Sequence, residues 1–151
     1  TQKSFIDIGA EKGIFARFLL QAGFEGILFE PCPKHHTILR ELVHHAPARF
    51  FPYAIDSTDR EADFYINCDE QGKPTDYFHS LWYVADDPRI KHCQKIRVTC
   101  RCLQSLLQEG ILNKHVGILK IDTEGNDLQV LKGIGELHPE VLICEFFLGK
   151  G

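Results

Sequence analysis

Residues 4–13 read Ser4-Phe5-Ile6-Asp7-Ile8-Gly9-Ala10-Glu11-Lys12-Gly13, and this stretch decides the fold. Ser4–Ile8 is a short apolar run of the kind that forms a buried strand. Gly9 permits a tight turn with close backbone approach, and Gly13 lets a helix begin beside it. That helix is expected over Gly13–Ala22, with Phe15, Phe18, Leu19 and Ala22 at helical spacing. A buried strand turning at once into a helix is the first half of a βαβ unit, and repeating it builds a parallel sheet.

The repetition is present. Gly26–Glu30 is a second buried strand, and Pro33 opens a helix as a first-turn proline, with Ile38, Leu39, Leu42 and Val43 as its apolar stripe. Arg49–Ala54 reads as strand 3, with Pro52 hinting at an edge. From Ile55 to Arg101 the pattern loosens. Ala62–Ile66 and Ile96–Cys100 are candidate strands around a turn-rich Cys68–Pro74 and an aromatic-rich Asp76–Val84. Leu103, Leu106 and Leu107 then mark a short helix ended by Gly110, and Val116–Ile121 is strand 4. Asp127–Lys132 is a helix with Leu128 and Leu131 on its inner face, and Val141–Phe146 is strand 5. The expectation is one α/β domain over residues 1–151, a parallel sheet with helices on both faces and strand order 3-2-1-4-5. A ligand is then expected at the carboxyl ends of strands 1 and 4, where the order reverses.

Composition narrows the function. The chain has 151 residues, a formal net charge of −4 and 44% hydrophobic residues, matching an ordinary globular domain able to bury a sizeable core. No apolar run approaches the ~18 residues of a membrane span. The basic residues are scattered, which argues against nucleic acid. None of the six cysteines forms a C-x-x-C pair, so all six are expected as reduced thiols in a cytoplasmic-type protein. His35-His36 and His44-His45 share one helix and are expected to be solvated; no metal is expected. The apolar start without an initiator Met reads as a domain cut from a longer chain.

The strand ends carry the chemistry. Asp7-Ile8-Gly9-Ala10-Glu11-Lys12-Gly13 is not the dinucleotide pattern G-x-G-x-x-G, because an acid stands before the first glycine. A pyrophosphate wants bare amides at a helix N-terminus. An acid there repels it but favours a sulfonium or an amino group, which separates S-adenosylmethionine from NAD and leaves an NAD-dependent oxidoreductase as the weaker reading. In Phe29-Glu30-Pro31, Glu30 is placed to accept both hydroxyl protons of an adenosine ribose, with little effect on folding expected from a strand-end group. In Leu119-Lys120-Ile121-Asp122-Thr123-Glu124-Gly125, Lys120 and Asp122 point to one face and can pair, while Glu124 lies in the turn above. Ionisable groups so close at the end of a buried strand are expensive unless used or paired.

Phe5-Ile6-Asp7-Ile8-Gly9-Ala10, Phe29-Glu30-Pro31 and Leu119-Lys120-Ile121-Asp122-x-Glu124-Gly125-x-Asp127-x-x-Val130-Leu131-Lys132-Gly133 together resemble the FkbM family of methyltransferases. Ser80-Leu81 and Glu145-Phe146 fit the same pattern. The resemblance implies a class I, Rossmann-like, S-adenosylmethionine-dependent fold and O-methylation of a hydroxyl on a sugar or other small metabolite. It implies that Asp7, Gly9, Ala10 and Gly13 line the methionine part of the cofactor, that Glu30 holds the ribose, and that Ser80 and Asp122 face the same pocket. Two departures stand out. Glu11 occupies a position commonly Asn in the family, and the chain stops after strand 5, where class I methyltransferases typically add a two-strand hairpin. An open strand 5 edge invites self-association. A non-catalytic domain that keeps the pocket, or only the fold, is the alternative function.

A hydroxyl nucleophile benefits from a base within hydrogen-bond reach. Glu124 is the first candidate and Asp122 the second, Lys120 could orient either, and His79 is a further alternative. The aromatic Asp76–Val84 segment reads either as a flap over adenine or substrate or as the apolar lining of a long connection.

Overall fold

The computed structural model describes residues 2–83 and 87–145. Eight strands and four helices follow in chain order: β1 (Ser4–Ile8), α1 (Ile14–Gln21), β2 (Glu25–Phe29), α2 (Pro33–His44), β3 (Ala48–Phe51), β4 (Ala54–Ile55), β5 (Arg60–Asn67), β6 (His92–Arg101), α3 (Leu103–Gln108), β7 (His115–Ile121), α4 (Asp127–Lys132) and β8 (His138–Cys144). Five strands form a parallel sheet in the order β3-β2-β1-β7-β8. The order differs from 3-2-1-4-5 in chain numbering, because β4, β5 and β6 come between and build a separate sheet, ordered β4-β6-β5. The strands expected as fourth and fifth are therefore the seventh and eighth.

Pro52 shapes the division. The single strand expected over Arg49–Ala54 ends at Phe51, on the edge of the large sheet, and Ala54–Ile55 pairs instead with Cys100–Arg101 of β6. Proline has no amide to continue a ladder, so the chain changes sheets there. β8 begins earlier than expected and ends at Cys144; Phe146 lies outside the described residues, as does Val84.

Helices cover both faces of the large sheet. On one face Phe5 and Leu28 pack against Ala16, Leu19 and Leu20 of α1 and Leu39 and Leu42 of α2. On the other, Ile6, Ile8, Leu119 and Ile121 pack against Leu103 and Leu106 of α3 and Val130 of α4. Two stripes are rotated from expectation. Phe18 and Leu128 are exposed, and Ala16 and Val130 take the inner positions. α1 begins at Ile14, after a left-handed Gly13, and its inner face carries Ala16, Leu19 and Leu20. On α2, His35 lies one turn before Leu39 on the buried face and is itself buried, which corrects the reading of a solvated histidine.

Two cysteines also depart from expectation. Cys68 and Cys93 are joined as a disulfide, with Cα atoms 5.8 Å apart, while Cys32, Cys100, Cys102 and Cys144 are free. The pair sits where β5 leaves β6: Asn67 faces His92 across a register shift, and the Cys68 N–H donates to Lys91 O at 2.8 Å. That local pairing is invisible to C-x-x-C arithmetic, and the compartment expectation built on six reduced thiols loses that support. Among the described residues, no helix is long and apolar enough to cross a membrane.

Candidate functional site

The carboxyl ends of β1, β2 and β7 meet where the sheet order reverses. Gly9, at φ 74°, holds the first junction. A Cβ there would overlap the Asp122 carbonyl oxygen, so glycine lets the turn after β1 rest on the end of β7. Its N–H and that of Ala10 both donate to Phe29 O, at 3.0 and 3.1 Å. Gly13, at φ 73°, is buried against Leu39 and Leu42 of α2. Ala10 is buried in the same layer.

Beneath the turn lies Asp7, fully buried. Lys120 Nζ approaches Asp7 Oδ1 at 3.2 Å and Asp122 Oδ2 at 3.4 Å, and donates to Gly9 O at 2.8 Å. Burial pushes Asp7 up to about 6 against the pull of Lys120. Burial opposes the Lys120 charge too, but Asp7 and Asp122 outweigh it and raise its pKa. The pairing read from the β7 spacing is present, and Lys120 serves chiefly as the cation under the turn.

Glu30 binds two loops. Its Oε2 accepts the Glu11 N–H and its Oε1 the Cys32 N–H, both at 2.8 Å, tying the turn after β1 to the start of α2. Burial outweighs these amide donors and pushes the carboxyl up to about 7. A purely ligand-facing strand-end acid would leave folding untouched; this one is part of the scaffold. Each oxygen keeps a second lone pair for a ligand hydroxyl.

A pocket opens above these groups. Gly9, Glu11, Glu30, Asp122 and Glu124 line it from the large sheet, and Asp76, Tyr77, Phe78, His79 and Leu81 from the long connection. The aromatic segment is therefore a wall of the pocket. It is clamped by Asp76, whose carboxylate meets Lys12 Nζ at 2.5 Å and Lys34 Nζ at 2.6 Å; those two hydrogen bonds hold it down to about 2. Among the described residues, the non-glycine residues at positive φ are Glu11 (48°), Phe78 (63°) and Glu124 (54°), and all three line this pocket. Left-handed backbone costs a non-glycine residue about 1–2 kcal/mol. Such strain gathers where function requires it.

Glu124 has its carboxyl pushed up to about 7, first by burial, against a hydrogen bond from the Phe78 N–H at 3.4 Å and with help from Asp122, Glu145 and Glu11. The buried Ser80 hydroxyl donates to Glu124 O at 2.9 Å and accepts the Trp82 N–H at 3.1 Å, so it latches the connection onto the turn after β7; it lines an adjoining hollow with Phe78 and Glu124 rather than this pocket. Trp82 Nε1 donates to Asn126 Oδ1 at 2.9 Å, and Asn126 in turn donates to Ile55 O. Asn126, missed in the sequence, is the buried hub of that latch. His79 is unsuited to act as a base. Its Nδ1 accepts the Asn67 N–H at 3.0 Å and its Nε2 faces Thr75 O at 3.1 Å, and burial lowers it to about 4.

Asp7, Ala10, Gly13 and Lys120 thus stand behind the wall, and Gly9, Glu30, Asp122 and Glu124 on it. The set fits a cationic ligand. Glu11, Glu30, Asp122 and Glu124 put carboxylates on a wall otherwise largely apolar and aromatic, and the lysines nearby are already paired, Lys12 and Lys34 with Asp76 and Lys120 with Asp7 and Asp122. A pyrophosphate would meet repulsion from Glu11, Asp122 and Glu124. No curated protein and no solved structure matches the chain. The model of the methyltransferase FkbM domain matches residues 7–148, from the buried Asp7 under the turn to beyond β8. With that match spanning almost its whole length, the chain belongs to the FkbM methyltransferase family.

Proposed function

We propose that this methyltransferase uses S-adenosylmethionine to methylate a hydroxyl group on a sugar or another small metabolite. The observation that carries the reading is the strained, carboxylate-lined pocket at the reversal of strand order, with Glu11, Phe78 and Glu124 all at positive φ around it. Bound there, the cofactor supplies a methyl group on a sulfonium sulfur, which leaves as a neutral thioether. The wall carboxylates Glu11 and Asp122 favour the positive charge, and Glu30 offers its free lone pairs to the ribose hydroxyls. The chain's own work is alignment of acceptor and methyl group, and removal of one proton.

Glu124 is the residue for the proton. With a pKa near 7 it is partly ionised at neutral pH and basic enough to accept a hydroxyl proton. It also borders a second hollow, bounded by Phe78, Ser80, Asp87, Arg89 and Ile90, which is where we place the acceptor. Phe78 and Glu124 are shared by the two spaces, so a hydroxyl in the second reaches toward a methyl group in the first.

Calorimetric titration with S-adenosylmethionine, S-adenosylhomocysteine and NAD tests the cofactor. Binding of the first two and weak or no binding of NAD is expected; tighter NAD binding overturns the reading. Transfer of labelled methyl to a panel of sugars, phenols and amines then tests the acceptor class, and labelling confined to amines overturns the hydroxyl assignment.

A further inference from the structure

Three donor side chains to which the methyltransferase reading gives no role meet at the pocket wall, where His35 and His79 are lining residues. Cys32 is the residue before α2, His35 lies one turn into that helix, and His79 comes from the long connection. One ligand atom from each lies within 4.8 Å of the other two, and the residues are only 1%, 2% and 8% exposed. The two imidazole rings are tilted at 46° with centroids 6.1 Å apart, so neither stacks on the other. His35 Nε2 is buried without a hydrogen-bond partner. A buried imidazole nitrogen without a partner is costly, so this one is available to a ligand.

We propose that Cys32, His35 and His79 form a binding site for one Zn²⁺ ion. A thiolate with two imidazoles is a borderline-soft donor set suited to zinc, and three protein ligands leave a fourth tetrahedral position for water. Binding replaces the Cys32 S–H bond with a sulfur–zinc bond and releases that proton to solvent. His79 exchanges one of its two backbone contacts, to Asn67 N–H or Thr75 O, for the metal. The ion thereby joins the start of α2 to the wall segment that His79 belongs to. The Cys-x-x-His spacing on a helix start was the available signal, and the third ligand comes from far along the chain.

Metal-free protein, kept with its disulfide intact, is titrated with Cd²⁺ while the ultraviolet sulfur-to-cadmium charge-transfer band is read. Zn²⁺ is measured by competition with a chromophoric chelator. One equivalent of each is expected to bind. The band should vanish in Cys32→Ser and persist in a Cys102→Ser, Cys144→Ser double variant, and Zn²⁺ affinity should fall at least tenfold in His35→Gln. Hydrogen exchange at residues 67–80 should slow when Zn²⁺ is added to the wild type. Circular dichroism checks that each variant folds, and His79→Gln repeats the test independently if His35→Gln does not. A band that survives Cys32→Ser, an unchanged Zn²⁺ affinity in a folded histidine variant, or no wild-type binding overturns the site. These readouts need neither methyl donor nor acceptor, so failure of the site and failure of the methyltransferase reading are separable.

Discussion

At Glu124 a left-handed backbone coincides with a half-buried carboxyl held near pKa 7. Glu124→Gln keeps the shape and removes the basicity. Turnover on an identified hydroxyl acceptor should fall by about 10²–10⁴-fold while cofactor affinity, read by calorimetry, stays nearly unchanged. Full turnover in the variant, with chemistry rate-limiting, would transfer the role to Asp122, the remaining candidate with a carboxylate on the wall. Glu30 gives a separate test through pH. Its folded pKa, about 7, lies above the ordinary 4.5, so the folded protein holds its proton more tightly than the unfolded chain. The resulting stability is full below about pH 4.5 and is lost as pH rises through about 7. Glu30→Gln has no such loss. In paired urea titrations the wild type's advantage over the variant should shrink by about 2–3 kcal/mol across that window. A gap that does not change with pH would mean that Glu30 is ionised at little cost.

Among the elements, the ones that repeat were readable and the ones that do not were not. β1, β2 and β7 are buried on both faces, so apolar runs betray them, and α2 carries an unbroken stripe. The second sheet left only fragments. β6 runs His92–Arg101, but its outward residues are polar and only Val98 and Cys100 are buried, so the pattern was legible only over Ile96–Cys100. The candidate site divides in the same way. Ionisable groups clustered at strand ends announce themselves by spacing, as Lys120, Asp122 and Glu124 did. His35 and Asn126 do not, because their burial depends on partners 44 or more residues away. The disulfide is the same kind of feature, made by β5 facing β6. It can be counted directly: thiol titration in denaturant should find four reactive cysteines before reduction and six after. Six before reduction would restore the reduced reading.

For the molecule as a whole, β8 is the exposed flank. Among the described residues it pairs only with β7, and its consecutive Val141, Leu142 and Ile143 are each more than 40% exposed, although alternate residues of a strand face opposite sides. Among the described residues, neither face of the strand is fully covered and its outer edge has no partner strand. Such an edge templates another strand. Light scattering over a concentration series should show self-association of this domain, and Leu142→Lys should return it to monomer. A wild type that stays monomeric throughout would remove the edge as an association surface.

The two lysines gripping Asp76 also set a clock. They fasten the wall of the pocket to the turn after β1 and to α2, across 64 and 42 residues of chain, so loosening the grip is expected to speed the exit of a molecule bound against that wall. All three side chains are about a third or more exposed, and ion pairs in contact with solvent weaken as salt is added. Dwell time should then be a property of the medium as much as of the ligand. In stopped-flow experiments S-adenosylhomocysteine should depart faster as ionic strength rises. Asp76→Asn should depart fast at every salt concentration, and a salt dependence that survives in that variant would place the slow step elsewhere.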